Sequence, residues 1–178
     1  MTKPSPDLIA DSSLHDIYTR PGFLIRRSHQ ILMGIADREC ASIGLTPHQH
    51  VCLSVLDRCG ALDQMSLGKT IGMDRATVGE LIRRLEVKGL VTRSPSVEDS
   101  RRKMVELTQA GKAYVTPSEA VADRISNGIT AALTEKEKKQ LIALLTKLTT
   151  QMNHQCSIPL EPPPVQAAVS ASQDNRSS

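Results

Sequence analysis

The sequence predicts a mainly α-helical fold with a small two- or three-stranded β-sheet. Apolar residues recur at every third or fourth position through most of the chain from Pro21 to Leu148, which is helical spacing. Only two short segments, 90–93 and 103–107, are predicted as strands from their β-branched residues and the turn residues that flank them. The length of 178 residues and the 39% hydrophobic content fit one domain with a short extension at each end.

The chain is expected to divide into three parts. Residues 1–10 form a mobile N-terminus, and residues 11–156 form the domain. Residues 157–178 are rich in Pro, Ala, Ser and Gln and lack a periodic apolar face, so they are predicted to be a disordered tail.

The domain itself is predicted to have helical ends around a separate lobe. The expected parts are two helical regions over 11–45 and 108–156 and a lobe over 46–107. In the first region, Asp11, Ser12 and Ser13 are candidate caps for a short helix through Tyr18. Pro21 suits the first turn of a longer helix, whose broad apolar face indicates burial against a second helix or a second subunit.

The lobe is predicted to hold three helices. The pair Thr46-Pro47 starts the first, which Gly60 ends, and Ser66 caps the second, which Gly72 ends. The third spans 74–88 and precedes the two predicted strands. The residues expected to face inward from the first and third helices are Val51, Val55, Leu56, Val78, Leu81, Ile82 and Leu85.

Two further helices are predicted after the strands. Thr108 caps one that runs to about Asn127 and is kinked or divided by Pro117. The segment 134–137, Thr-Glu-Lys-Glu, is a capping box that starts the last helix, which ends near Met152 or Cys156. The apolar stripe of this last helix consists of Leu141, Leu144, Leu145 and Leu148.

Composition excludes several classes of nucleic-acid reader. The only aromatic residues are Tyr18, Phe23 and Tyr114, too few for proteins that stack single-stranded bases on rings. Nine basic and five acidic residues lie between Lys69 and Lys103, so this segment carries +4 whereas the whole chain carries +3. A locally positive helical segment of this kind indicates duplex DNA as the partner.

Enzyme and membrane classes are not supported by any motif. The sequence lacks a phosphate-binding glycine loop, a nucleophile elbow and a metal-spaced ligand set, so we expect no enzyme activity, no cofactor and no metal. It also lacks a long apolar run and a secretory signal, so a cytoplasmic location without membrane association is expected. In that reducing compartment the four cysteines are most simply free thiols.

Two short helices at a tight turn, followed by a basic two-stranded hairpin, are typical of a winged helix-turn-helix. The alternative is a solvated charged face on an ordinary helical protein. The pattern places the second helix in a major groove and the start of the first near a phosphate. The candidate DNA-binding residues in these elements are Ser66, Lys69, Arg75, Ala76, Thr77, Glu80, Arg83, Arg84, Arg102 and Lys103.

Over about Pro21 to Leu148 the chain resembles the MarR family of dimeric bacterial transcription regulators. The residues that carry the resemblance are 72–78 (Gly-Met-Asp-Arg-Ala-Thr-Val), 85–91 (Leu-Glu-Val-Lys-Gly-Leu-Val) and above all 99–103 (Asp-Ser-Arg-Arg-Lys), which leads into 107–111. The resemblance implies that Arg101 is the wing-tip residue in a minor groove and that Asp99 orders the wing loop by pairing with an arginine. Charge reversal at Arg101 is expected to abolish most of the affinity.

The sequence departs from the family's common pattern at Glu80, where many members carry a basic residue. A glutamate there either accepts a hydrogen bond from cytosine or braces Arg83 or Arg84 within the helix. We favour bracing, so base readout by Arg75, Thr77 and Arg84 is a weaker prediction than phosphate binding by the whole basic surface.

The family also implies a homodimer with intertwined terminal helices. The broad apolar stripes at 24–36 and 141–148 support this independently, since they exceed what one small lobe covers. A two-fold dimer places its recognition helices about 34 Å apart, one turn of DNA, so an inverted-repeat operator is expected.

The resemblance further implies a small aromatic acid as effector. Tyr18 and Phe23 are candidates to hold a flat ring, Arg20 to clamp a carboxylate, and His15, with His48 or His50, to bond a ring nitrogen or hydroxyl. The alternative is that both rings are interface core, that Arg20 pairs with Asp16 or Asp37, and that the histidines are surface caps.

Residues 19–30 are similar to MarR regulators of aromatic-acid degradation, particularly nicotinate catabolism, which implies an effector such as 6-hydroxynicotinate that releases a repressor from DNA. A second hypothesis is redox sensing through Cys40, near a helix end with mixed-charge neighbours. A third is a helical adaptor that does not bind DNA.

Overall fold

The computed structural model describes residues 14–96 and 102–163. The helices are α1 (His15–Tyr18), α2 (Pro21–Ala41), α3 (Pro47–Cys59), α4 (Gln64–Ile71), α5 (Arg75–Val87), α6 (Gln109–Lys112), α7 (Val115–Ile129) and α8 (Glu135–Gln151). The strands are β1 (Leu62–Asp63), β2 (Val91–Pro95) and β3 (Lys103–Leu107), and a 3₁₀ turn spans Asn153–Gln155. The predicted mainly α-helical fold with a small sheet is confirmed.

The sheet is antiparallel, with strand order β1-β3-β2. Val91 pairs with Leu107 and Pro95 with Lys103, so the two long strands form a hairpin whose open end leads into the wing loop. The third strand is the two-residue β1, in which Leu62 pairs with Val105. A two-residue strand leaves no hydropathy pattern, so the sequence predicted two or three strands but located only two of them.

Side-chain caps define the starts of the main helices. Thr46 and Thr134 each form a capping box, with Gln49 and Glu137 respectively. The prediction that Ser66 caps the short second helix of the lobe is wrong. That helix begins at Gln64 because the Asp63 carboxylate accepts hydrogen bonds from the backbone N–H groups of Met65 and Ser66.

The hydrophobic core of the lobe is continuous from α3 to β3. Its buried members are Leu45, Cys52, Leu53, Leu56, Leu62, Leu67, Val78, Leu81, Ile82, Leu85, Leu90, Val91 and Val105. The predicted stripe of α5 is therefore confirmed. The prediction that Val51 faces inward is wrong, because its side chain is 43% exposed and α3 instead turns Cys52 and Leu53 toward the core.

The single helix predicted after Thr108 is divided into two helices, α6 and α7, which is one of the two outcomes predicted for it. Thr108 caps the four-residue α6, and α7 starts at Val115, so that Pro117 lies in the first turn of α7, where a missing N–H is tolerated. Gly111 permits the close packing at this joint. A Cβ there would lie 2.0 Å from the Leu90 carbonyl oxygen.

The helical ends pack together only in part. Helix α2 lies against α7, where the Arg124 guanidinium contacts the Glu39 carboxylate at 2.6 Å. Helix α8, every residue of which the structure describes, contains no buried residue. In the described part of the chain, no helix is both long enough and apolar enough to cross a membrane.

Candidate nucleic-acid interface

Helices α4 and α5 form a helix-turn-helix. Gly72 ends α4 with φ of +71°, a left-handed conformation that favours glycine. Gly68 lets the two helices approach, since a Cβ there would lie 2.9 Å from the Met73 carbonyl oxygen and 3.4 Å from Val78 Cγ2. The turn is therefore tight, and it sets the start of α5 directly after Asp74.

Asp74 organises the start of α5. Its carboxylate accepts hydrogen bonds from the backbone N–H groups of Ala76 and Thr77, both at 2.9 Å, and from the Thr77 hydroxyl. The side-chain and backbone bonds from Thr77, together with that from Ala76, lower the pKa of Asp74. The cap consequently stays ionised at neutral pH and holds the first turn of α5 rigid.

The face of α5 opposite the core is open. Val78, Ile82 and Leu85 are fully buried, so the helix has one fixed orientation in the lobe. The predicted DNA-binding residues exposed on α5 are Arg75, Ala76, Thr77, Arg83 and Arg84. Small residues at the start of the helix and guanidinium groups farther along form a surface suited to a DNA groove.

Glu80 accepts hydrogen bonds from both neighbouring arginines. Its two carboxylate oxygens lie 2.7 and 2.8 Å from Arg83 Nε and Nη2, and 2.8 Å from Arg84 Nε. The bonds from Arg83 and Arg84 lower the pKa of Glu80 to about 2. This is the bracing arrangement, and it reduces the net charge of the three side chains to +1.

The structure describes the two strands of the wing but not residues 97–101 of the loop between them. Asp99 and Arg101 lie outside the described residues, whereas Arg102 and Lys103 are exposed at the start of β3. Burial raises the pKa of Asp63, but hydrogen bonds from Ser66 and Met65 and the positive charge of Arg102 outweigh it, so the pKa is lowered. The base of the wing is thus electrostatically coupled to the start of α4.

The two predicted phosphate contacts on α4 have partners within the protein. The Ser66 hydroxyl is half-buried and donates to the Asp63 carboxylate at 2.7 Å. The Lys69 ammonium group donates to the Glu161 carboxylate at 2.9 Å. The sequence did not single out Asp63 or Glu161; Asp63, directly before α4, carries a recognisable cap signal, but Glu161 is remote in sequence and carries none.

The predicted effector residues are only partly brought together. The rings of Tyr18 and Phe23 lie with centroids 5.0 Å apart at 37°, and the Arg26 guanidinium lies 4.9 Å from the Phe23 centroid. Arg26 was not predicted, although its position three residues after Phe23 on a helix is a usable signal. Arg20 donates through Nε to the backbone carbonyl of Asp16 at 3.2 Å.

The three histidines predicted to bind the effector lie on two helices, α1 and α3. His15 is exposed on α1, close in sequence to Tyr18, and His48 is exposed on α3. His50 is buried, and its Nε2 lies 2.9 Å from the Ser118 carbonyl oxygen, a contact that joins α3 to α7. The structure shows no direct contact between His50 and the two rings.

Cys40 has the environment of an unreactive thiol. Its side chain is fully buried in α2. Burial, followed by the negative charges of Asp37 and Glu39, raises its pKa. A redox-sensing cysteine needs access and a stabilised thiolate, so the structure argues against the Cys40 hypothesis.

Comparison with known proteins agrees with this architecture. Residues 45–103 match the model of the MarR family. The transcriptional repressor NicR of Pseudomonas putida is 30% identical over 138 residues, which are 78% of this chain and 87% of NicR.

Two solved structures are similar in both fold and sequence. BpsR of Bordetella bronchiseptica, whose DNA binding is regulated by 6-hydroxynicotinic acid, superposes with a TM-score of 0.70 at 30% identity over 74% of this chain and 94% of that one. MepR of S. aureus, in complex with DNA, gives a TM-score of 0.67 at 28% identity over 74% and 98%. The chain therefore belongs to the MarR family and is a transcriptional regulator with a winged-helix lobe.

Proposed function

We propose that the protein is a dimeric repressor that binds an inverted-repeat operator and releases it when a small aromatic carboxylate binds. The observation that carries the DNA-binding part is the rigidly capped α5, which buries one face and exposes Arg75, Thr77 and Arg84 on the other. Helix α5 enters a major groove, and the wing, with Arg101 at its tip and Asp99 ordering its loop, reaches the adjacent minor groove.

Binding to DNA is tested by fluorescence anisotropy on duplexes that span the region flanking its own gene. We expect Arg75→Ala and Arg84→Ala each to weaken binding about 5- to 150-fold, since a side chain that contacts a base contributes about 1–3 kcal/mol. Arg38→Ala, which removes an exposed arginine of α2 outside the helix-turn-helix, is the matched control. Equal effects of all three substitutions would show that α5 does not read the operator.

The homodimer is supported by unpartnered apolar faces. Leu24, Ile25 and Ile31 of α2 are 43–50% exposed, and Ile142, Leu144, Leu145 and Leu148 of α8 are 44–67% exposed. A second copy covers these faces and brings two α5 helices to successive turns of DNA, about 34 Å apart. Footprinting that finds half-sites at another spacing would contradict this geometry.

The effector site is proposed at the junction of α1 and α2. The Tyr18 and Phe23 rings offer flat apolar surface, and Arg20 and Arg26 supply two guanidinium groups for a carboxylate. His15 and His48 are the proposed partners of a ring nitrogen or hydroxyl, and His50, through Ser118, connects the lobe to α7. The regulation of BpsR by 6-hydroxynicotinic acid supports this compound as the first effector to test.

Release of DNA follows from differential affinity. Helix α2 packs against α3 of the lobe and against α7, so a ligand at its start favours one spacing of the two lobes over another. A 100-fold loss of operator affinity requires about 2.7 kcal/mol of difference in effector binding between the two arrangements. A single charge-paired carboxylate and a stacked ring supply energies of this order.

Calorimetry with 6-hydroxynicotinate tests the effector proposal. Arg20→Ala is expected to abolish both heat of binding and release of DNA. Arg27→Ala removes an exposed arginine of the same helix, one that contacts Gln30 at 3.3 Å, and is expected to leave both unchanged. Absence of binding to aromatic carboxylates, with Arg20→Ala still inducible by some other compound, would overturn the site while leaving the DNA-binding proposal intact.

A further inference from the structure

The chain beyond α8 returns to the helix-turn-helix. Asn153 lies in the 3₁₀ turn that follows α8, and its side chain bonds both backbone groups of Leu160, accepting at 2.8 Å and donating at 2.9 Å. This pair of bonds closes the segment between Asn153 and Leu160 into a loop. The loop directs Leu160 and Glu161 toward α4.

Three contacts join this segment to α4. The Glu161 backbone N–H donates to the Lys69 carbonyl oxygen at 3.2 Å, and the Glu161 carboxylate accepts from the Lys69 ammonium group at 2.9 Å. Leu160 covers Gly72, where an added Cβ would lie 3.2 Å from Leu160 Cδ2. Because carbonyls in the last turn of a helix lack an intrahelical partner, the Glu161 amide also completes the end of α4.

We propose that residues 153–161 form a strap whose Glu161 carboxylate competes with DNA phosphate for Lys69. This inference rests on the proposed function and on the sequence prediction that Lys69 of α4 is a DNA-binding residue. Lys69 and Glu161 are 44% and 55% exposed, so a phosphate can replace the carboxylate. The strap starts at the end of α8 and terminates on α4, and it therefore links the dimerisation helix to DNA affinity.

The expected gain in DNA affinity on loss of the Glu161 charge is small because the Lys69–Glu161 ion pair is exposed to solvent. Solvated ion pairs of this kind are modest, so neutralising Glu161 is expected to tighten DNA binding about two- to fivefold. Each released lysine contacts about one more phosphate, which steepens the slope of log affinity against log salt by about 0.9 per subunit. Salt screens the competition, so the gain in affinity shrinks as ionic strength rises.

The test uses the full-length dimer and a fluorescein-labelled duplex of about 30 base pairs from the region flanking its own gene. Glu161→Gln is compared with Glu135→Gln, which removes the same charge from α8. The first is expected to tighten binding about two- to fivefold at low salt and the second to leave it unchanged. In a Lys69→Gln background, Glu161→Gln is expected to have no effect.

Hydrogen exchange provides a second, independent measurement. The Glu161 amide is expected to exchange slowly in the free protein, faster in Leu160→Ala, and faster when DNA is bound. A Glu161→Gln variant that binds like the wild type, or that gains equally in the Lys69→Gln background, would overturn the competition. If the wild type binds no duplex at all, the proposed function fails instead, and slow exchange at Glu161 would still show that the strap is docked.

Discussion

The DNA-binding lobe and the helical ends of the chain satisfy their apolar residues in different ways. The lobe buries a continuous cluster from Leu45 to Val105 within one chain. Helix α8, described over its full length, buries none of its residues and leaves Leu144 67% exposed. The lobe thus covers its apolar residues within one chain, whereas the exposed apolar residues of α2 and α8 support the proposed dimer.

This difference fits the proposed function, in which the spacing of two lobes changes while α5 keeps one shape. Helix α5 is held by the buried core and by the Asp74 cap, so we expect its exposed surface to keep its shape when a ligand binds elsewhere. The contacts that connect the lobe to the helical ends include polar ones, as in the His50 bond to Ser118 and the Lys88 bond to the Gly44 carbonyl oxygen. Rearrangement is therefore expected at the helices and not within the lobe.

The largest expected effect is on the lobe core. Ile82→Ala removes a fully buried side chain beneath α5 and should reduce the free energy of unfolding by about 2–5 kcal/mol. Val87→Ala is the matched control on the same helix, because Val87 is 77% exposed and its loss should change stability by less than about 0.5 kcal/mol. Urea unfolding followed by circular dichroism measures both. Equal unfolding midpoints for the two variants would show that burial beneath α5 does not stabilise the lobe.

The next effect is on the dimer. Leu148→Asp introduces a charge into the apolar face of α8 and should weaken dimerisation roughly 100-fold, because burying an unpaired carboxylate costs about 3 kcal/mol or more. Thr150→Asp, on the opposite side of α8, should leave the dimer intact. Analytical ultracentrifugation gives the dissociation constants. A monomeric Leu148→Asp protein with a folded lobe would sharpen the comparison, and an unchanged dimer would contradict it.

The smallest effect is on the charged face of α5. Glu80→Gln removes the negative charge and one of the two acceptor oxygens that Arg83 and Arg84 share, so affinity for duplexes of unrelated sequence should rise about two- to fivefold. Discrimination between the operator and such duplexes should fall, because the two guanidinium groups lose their common orientation. Glu119→Gln on α7 removes an equal charge away from the lobe and serves as the control. Anisotropy at several salt concentrations separates the two variants.

Much of the lobe was predictable because its signals are local. The stripe of Val78, Leu81, Ile82 and Leu85 is a period of one helix, and Gly72 marks a turn that is determined by backbone conformation. The start of α4 was wrongly assigned to Ser66, although Asp63 three residues earlier carries the same capping chemistry. The inward assignment of Val51 failed because β-branched and cysteine side chains are both acceptable in a core, and only the packing of α3 chose between them.

The effector region was less predictable, since its contacts join separate segments. The Tyr18 and Phe23 pair was anticipated from their proximity in sequence. The contact of Arg26 with the Phe23 ring could have been anticipated too, because the two residues are three positions apart on α2. By contrast, the bond from His50 to the Ser118 carbonyl spans 68 positions and has no signature in either segment. The Glu161 contact with Lys69 spans 92 positions and lies in a segment that composition assigns to a disordered tail.

The sequence by itself determined most of the helices, the capping boxes at Thr46 and Thr134, the two long strands and the family, because each depends on residues within one or two turns of each other. The tertiary structure decided which charged side chains are bonded across distant segments. Glu80 with its two arginines could be anticipated from helical spacing, whereas Lys69 with Glu161 could not. The physical reason is that ion pairing depends on distance in space, and distant segments meet only after the core has positioned them.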